Sequence, residues 1–202
     1  MKMSKGWIIA LVIIGIFILI IVYTISSGIG QYNNLVKSEE AVNAQWANVE
    51  NVYQRRADLI PNLVATVKGV ANFEQNTLTA VIEARAKATS VNINPKNLDA
   101  GAIQKFQQAQ DGLSSTLSRL MVVVEKYPEL KATQNFTELQ AQLEGTENRI
   151  TVERRNFNEM AQAYNTYLRG FPMNIIAGMF GFQKKGYFQA VAGAEKAPKV
   201  EF

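Results

Sequence analysis

Between Phe136 and Phe171 the chain repeats an apolar residue at alternating intervals of three and four. Phe136, Leu139, Leu143, Thr146, Ile150, Glu153, Phe157, Met160, Tyr164, Tyr167 and Phe171 occupy the repeat, and only Thr146 and Glu153 among them are polar. Neither Pro nor Gly falls on it. A heptad pattern held this long is what a helix needs to lay one face lengthwise on other helices. At about 1.5 Å per residue the segment spans about 54 Å. A helix of that length needs long partners, so the chain is expected to be an all-α bundle.

A second feature sets where the bundle sits. Trp7 to Ile25, WIIALVIIGIFILIIVYTI, contains no charged residue. About 20 apolar residues cross a bilayer, whereas a cleavable signal has an apolar core of roughly 7–15. The length predicts a retained single transmembrane anchor, residues 7–25, behind a short tail, residues 1–6. The small residues of SSGIG leave cleavage as the alternative. Trp7 and Tyr23 fall where interfacial aromatics belong. Lys2 and Lys5 precede the span and only Lys37 follows it closely, so the positive-inside rule puts the N-terminus in the cytoplasm and the domain outside. Ser26-Ser27-Gly28-Ile29-Gly30 then reads as a hinge, residues 26–30, because two nearby glycines disfavour a continuous helix.

Residues 31–182 are expected to form the bundle. From Gln31 to about Thr89 the three–four positions are Leu35, Glu39, Val42, Trp46, Val49, Tyr53, Arg56, Ile60, Leu63, Val67 and Val70, followed by Leu78, Val81 and Ile82. Pro61 removes one backbone hydrogen bond, which predicts a kink near Ala57. The heptad phase passes through it unshifted, favouring one bent helix; a new helix capped by Asp58 is the alternative. Residues 90–98 are punctuated by Asn and Pro and read as a turn. A further helix over 99–126 carries Ile103, Phe106, Gln110, Leu113, Leu117, Leu120, Val124 and Tyr127, and Pro128 ends it. Asn135 with Glu138 makes a capping-box-like start for the helix described first, which Gly170 and Pro172 stop. Met173 to Phe182 is expected to fold back as a short helix covering the bundle. Residues 183–202 are expected to be mostly extended or mobile, with Phe188 as a lone aromatic anchor. The architecture is therefore three long antiparallel helices plus a short C-terminal one, four-helix-bundle-like.

The chain has no Cys and no His, which removes disulfides, thiolate nucleophiles, imidazole bases and the usual zinc or haem ligands. Lys2 and Lys5 supply half of the net charge of +4, and the rest is spread thinly over a long chain. A nucleic-acid surface needs a clustered basic face, so none is expected. No phosphate loop, metal spacing or dinucleotide fingerprint occurs. No residue is assigned a catalytic, cofactor-binding or metal-ligating role.

Charges on apolar stripes are the remaining candidates. Arg56, in the run Arg55-Arg56-Ala57-Asp58, falls on a stripe, as do Glu39 and Glu153. A charge there is costly unless paired, and the expected use is an interhelical ion pair, such as Arg56 with Glu153, that fixes register. A polar site beside the kink is the functional alternative. Glu147 and Glu153 are six residues apart and do not share a helix face, which argues against a catalytic pair. Phe180-Gly181-Phe182 reads as cover for the open bundle end, with an exposed apolar sticker as the alternative.

Several words of sequence in order carry a resemblance beyond periodicity: YNNLV (32–36), RRADLIPNLV (55–64), VKGVANFE (67–74), LSRLMVVVEKYPELKATQNFTELQAQLEGTENRI (117–150), RRNFNEMAQAYN (154–165) and FPMNIIAGMFGF (171–182). Over residues 30–188 the chain resembles the LemA family. The resemblance implies a bacterial membrane anchor and a helical bundle, with no established biochemical activity. It also implies a short N-terminus outside the cell, opposite to the charge count. Together these readings predict a membrane-tethered, non-enzymatic interaction or scaffold protein of the cell envelope, with a protein partner or self-association. An accessory or regulatory subunit of another membrane enzyme, such as a protease, is the alternative.

Overall fold

The computed structural model describes residues 5–70 and 73–190. Six α-helices and no strands occur among them: α1 (Lys5–Lys68), α2 (Gln75–Ser90), α3 (Ala100–Val124), α4 (Pro128–Lys131), α5 (Gln134–Arg169) and α6 (Met173–Phe180), with a single 3-10 turn at Pro95–Asn97. The all-α bundle expected from the stripes is present. Tyr167 bonds Gln31, Glu153 bonds Gln45 and Glu147 bonds Arg56, so α5 runs antiparallel to α1. Trp46 and Tyr53 pack on Phe106 while Arg56 reaches Ser114 and Gln110, so α3 runs parallel to α1. With α2 returning between them, the order is up-down-up-down.

α1 has 64 residues and is about 96 Å long at 1.5 Å per residue. It runs unbroken through residues 26–30, where the glycines predicted a hinge. Nothing lies within 4 Å of a Cβ built on Gly28 or Gly30, so the glycines are not there for close packing. Their cost is about 1 kcal/mol each relative to Ala, and opening the backbone beside an apolar phase costs several per unpaired group. Continuity of the helix therefore wins. Every described side chain from Gly6 to Ser27 is exposed, and burial begins only with Leu35. The apolar stretch is long and apolar enough to cross a membrane.

α1 also passes through Pro61 as one helix, as the unshifted heptad phase predicted, but it ends at Lys68 instead of continuing toward Thr89. The predicted first long helix is thus two helices, α1 and α2, and the bundle has four long members. Gly69 beyond the last helical residue is a stop signal, and the stripe skips the seven residues between Val70 and Leu78. α3 begins one residue after Asp99, whose carboxylate caps it by accepting from the Ala102 N–H at 2.8 Å. α5 begins at Gln134 after Thr133, which makes no side-chain cap bond, so the box expected from Asn135 does not form. Pro128 opens the single turn of α4 where a loop was expected.

The core falls into two clusters. One, nearer the apolar stretch, gathers Trp46, Tyr53, Phe106, Phe157, Tyr164 and Phe188. The other, at the far end, gathers Ile60, Leu63, Leu78, Leu113, Leu120 and Phe136. On α5 the stripe drifts: Ala161 and Leu168 are buried while Met160 is 45% exposed, and Phe171, 84% exposed, lies past the helix end. A straight helix lags a strict 3.5-residue repeat by about 20° per heptad, and over five heptads that moves the face by one position.

Candidate functional site

Between the two apolar clusters lies a polar layer centred on Arg56, 1% exposed. Its Nη1 donates to Ser114 Oγ at 2.7 Å and to Glu147 Oε1 at 2.5 Å. Its Nη2 donates to the Gln110 side-chain oxygen at 2.7 Å and to the Gln110 carbonyl at 3.3 Å. Gln110 in turn donates from Nε2 to the Ala88 carbonyl on α2. One guanidinium therefore ties α1 to α3 and α5 directly and to α2 through Gln110. The expected partner was Glu153, which instead accepts from Gln45 Nε2 at 2.6 Å. Gln45 opposite Glu153 fixes the antiparallel register, and Arg56, further along α1, reaches the earlier residue Glu147.

The Arg56 guanidinium also lies 5.1 Å from the centre of the Tyr53 ring. Burial pushes the Tyr53 hydroxyl up to about 12, partly offset by Arg154 and Arg56. Tyr164 is raised as well, first by burial and then by Glu39. Both hydroxyls are buried without a protein hydrogen-bond partner and are held protonated at neutral pH.

A second constellation joins the C-terminal segment to the bundle. Residues 182–190 run as an extended strap against α3 and α5. Three amide side chains each grip one strap residue by both its backbone groups. Asn165 accepts from the Lys185 N–H at 2.9 Å and donates to its carbonyl at 2.8 Å. Asn158 does the same to Phe188 at 2.9 and 2.8 Å, and Gln107 to Gln189 at 3.0 Å both ways. Asn158 and Asn165 are seven residues apart on α5, about 10.5 Å, and three extended residues from 185 to 188 cover about 10 Å. The spacings match, so a helix presents the ladder that a strand would otherwise supply.

The strap is set by close approach as well. A Cβ on Gly186 would lie 2.7 Å from Ala100 Cα, and the Gly186 N–H donates to the Leu98 carbonyl at 2.7 Å. Lys185, 4% exposed, extends to Glu39 at 2.7 Å, which supplies the partner that the stripe position of Glu39 demanded. Phe188 stacks on Trp46, meets Phe106 and Phe157 edge-on, and carries the Arg154 guanidinium 4.8 Å above its ring. Phe188 is thus the anchor expected of it. Within residues 183–190, Lys185, Gly186 and Phe188 are buried and the rest are exposed, and residues 191–202 of the predicted tail lie outside the described residues.

The α3–α5 seam is the open side of the bundle. α1 pairs chiefly with α5 and α2 with α3, while the α3 and α5 backbones stay apart. Two clefts of about 860 and 560 Å³ lie along this seam. Gln104, Gln108, Asp111, Arg169 and Lys184 line the first beside the strap, and Ser118, Met121, Gln140 and Glu144 line the second. Among the described residues no group of three or more acidic side chains could hold a metal ion. Sequence reasoning found Arg56, Glu39 and Phe188 and missed the amide clamps, although Asn158 and Asn165 stand at the same heptad position.

Fold and site define a class: a helical bundle grown from a helix of membrane-crossing length, with a polar layer at mid-height and a C-terminal strap. The LemA family pattern matches residues 45–202, beginning within α1 past the apolar stretch, and the chain belongs to the LemA family. It is 27% identical over 205 residues to magnetosome protein MamQ 2 of Paramagnetospirillum magneticum, covering 93% of this chain and 75% of that protein. Magnetosome protein MamQ of Magnetospirillum gryphiswaldense is 27% identical over 192 residues, 87% of this chain and 71% of its own length. Protein LemA of Metamycoplasma hominis is 22% identical over 162 residues, 80% of this chain and 70% of that protein.

Proposed function

We propose that the protein is a membrane-tethered, non-enzymatic interaction or scaffold module of the bacterial cell envelope. The observation that carries this reading is α1 itself. One helix bears the exposed apolar stretch at one end and a large share of the bundle core, from Leu35 to Val67, at the other, so the bundle is held rigidly on its anchor with no flexible link. The open α3–α5 seam then presents clefts lined by Gln, Ser, Asp and Lys at a fixed height above the bilayer. The bundle lies outside the cytoplasm, with Lys2 and Lys5 on the inner side. Non-enzymatic action is supported by the nature of the buried polar groups. Both terminal nitrogens of Arg56 are engaged in cross-helix bonds, and the two buried tyrosines hold their protons through the neutral range.

An accessory role on another membrane enzyme, such as a protease, is the second reading, favoured by the size of the cleft beside the strap, about 860 Å³. Crosslinking in native membranes tests both. Recovery of one envelope enzyme, lost when Gln104 and Gln108 are changed to Glu, assigns an accessory subunit. Ladders of the chain alone assign a self-assembling scaffold. Crosslinking to neither, with the chain turning over a substrate unaided, would remove the non-enzymatic reading.

A further inference from the structure

At the anchor end of the bundle the fold leaves large apolar side chains uncovered. α6 buries Met173 and Ala177 and half-buries Ile176 against the core. Ile175, Met179 and Phe180 remain 53%, 75% and 60% exposed, and Phe171, just ahead of the helix, is 84% exposed. Phe171, Ile175 and Met179 recur every four residues, on the side opposite Met173 and Ala177. α6 is thus apolar on both faces and has protein on one. The left-handed Gly181, φ 76°, ends it and turns the chain into the strap.

Position says what covers the other face. The Phe180 ring packs on Tyr32 at 4.8 Å. Tyr32 lies three residues beyond Ile29, the last exposed large apolar residue of α1 before the bundle, and so about 5 Å further along the helix. The polar layer of a bilayer is on the order of 5–8 Å deep on each side of the hydrocarbon. Ile25 and Ile29, 58% and 57% exposed, carry the uncovered apolar surface of α1 up to the foot of α6. Arg169 and Lys184, both exposed, flank this end and suit anionic headgroups.

We propose that Phe171 and the outer face of α6 insert into the interfacial layer of the membrane that α1 crosses. This second lipid contact fixes the tilt of the bundle and hence the direction in which the α3–α5 seam faces. A short helix with one exposed apolar face binds a bilayer weakly by itself, but beside a spanning helix it is held at the surface by the tether. The inference rests on residues 7–25 being a retained span, and the test separates the two.

The chain has no cysteine, so single labelling sites can be introduced at will. An environment-sensitive fluorophore is attached to M179C, to I16C within the span, and to V122C, a 68% exposed position on α3. Each full-length protein is reconstituted in nanodiscs of phosphatidylcholine and phosphatidylglycerol, with or without lipids brominated high on the acyl chain. The expected result is a blue-shifted M179C signal quenched severalfold more than V122C, with I16C quenched too. Quenching at I16C without quenching at M179C overturns the inference and leaves the span standing. A blue-shifted but unquenched M179C signal assigns the face to protein, including a second copy, and overturns it equally. Absence of quenching at I16C overturns the span and the inference together.

Discussion

Arg85 Nε donates to the Ala57 carbonyl at 2.8 Å, and this is the oxygen that Pro61, four residues on, leaves without a helical donor. Ala57 is 3% exposed, so water does not replace the missing bond. α2 thus supplies from outside what α1 lacks within, and the proline persists in an unbroken helix because a neighbour completes it.

That relationship predicts coupling. Replacing Arg85 by Ala should cost about 1–2 kcal/mol, the range for leaving a buried acceptor unpaired. In a Pro61→Ala background, where position 61 regains an N–H that can donate to the Ala57 carbonyl, the same change should cost less than half as much. Chemical unfolding of the four full-length proteins in micelles gives the cycle. Equal costs in the two backgrounds would show that Arg85 acts elsewhere.

The polar layer makes an ordering prediction. Arg56→Ala removes a side chain that is 1% exposed and strands Gln110 and Ser114, at a cost of about 3 kcal/mol or more. Glu147 is 43% exposed on its side chain, so solvent replaces part of what Glu147→Ala removes, and the cost should be nearer 1–2 kcal/mol. Thermal unfolding of the two variants reads the order. An Arg56→Ala protein as stable as the parent, yet unable to crosslink its partner, would sink the register role and make Arg56 a binding residue.

The parts of this architecture that are periodic were legible, and those that depend on cross-helix register were not. Leu35, Val42, Trp46, Val49, Tyr53, Ile60, Leu63 and Val67 are all buried as the α1 stripe requires, because a three–four repeat states directly which face is inside. That Arg56 and Glu39 need partners followed from the same stripe. Which partners they take did not: Glu147 and Lys185 come from distant segments, and the antiparallel offset of α1 and α5 has no local signature. The α1–α2 break shows as the missing stripe step between Val70 and Leu78, whereas the unshifted phase at Pro61 bears only on the helix up to Lys68. The strap carries no periodic apolar signal, only Phe182, Tyr187 and Phe188 in a polar run, and its hold depends on amides whose role appears once 185 and 188 lie opposite Asn165 and Asn158.

Alkaline stability follows from the buried tyrosines. The folded protein favours the protonated hydroxyls of Tyr53 and Tyr164, because burial raises both. The unfolded chain releases these protons near pH 10. Their contribution is therefore complete below about pH 10 and is lost as pH rises through the Tyr53 value of about 12. Tyr53→Phe should be neutral or slightly stabilising at pH 7, since the hydroxyl has no protein partner. Between pH 10 and 12 the variant should lose less stability than the parent, by on the order of 2–3 kcal/mol at the upper limit. Unfolding curves at a series of pH values decide it, and parallel losses in the two proteins would contradict the assignment.

The strap should come away as a unit when its ladder is cut. Asn165 serves both backbone groups of Lys185 and also donates to the Tyr187 hydroxyl at 2.8 Å, so Asn165→Ala removes three bonds at once. A loss of about 2–3 kcal/mol is expected, with Lys185 freed from Glu39 as the strap lifts. Gly186→Ala should act from the other side, because its Cβ would meet the α3 backbone rather than a flexible side chain. Hydrogen exchange at the amides of Lys185, Phe188 and Gln189 should rise together in both variants, while amides near Ile60 and Leu120 in the far core cluster keep their protection. Loss of protection at Lys185 alone would mean that Asn158 and Gln107 hold the rest independently, and the three amides would then be separate contacts instead of one clamp.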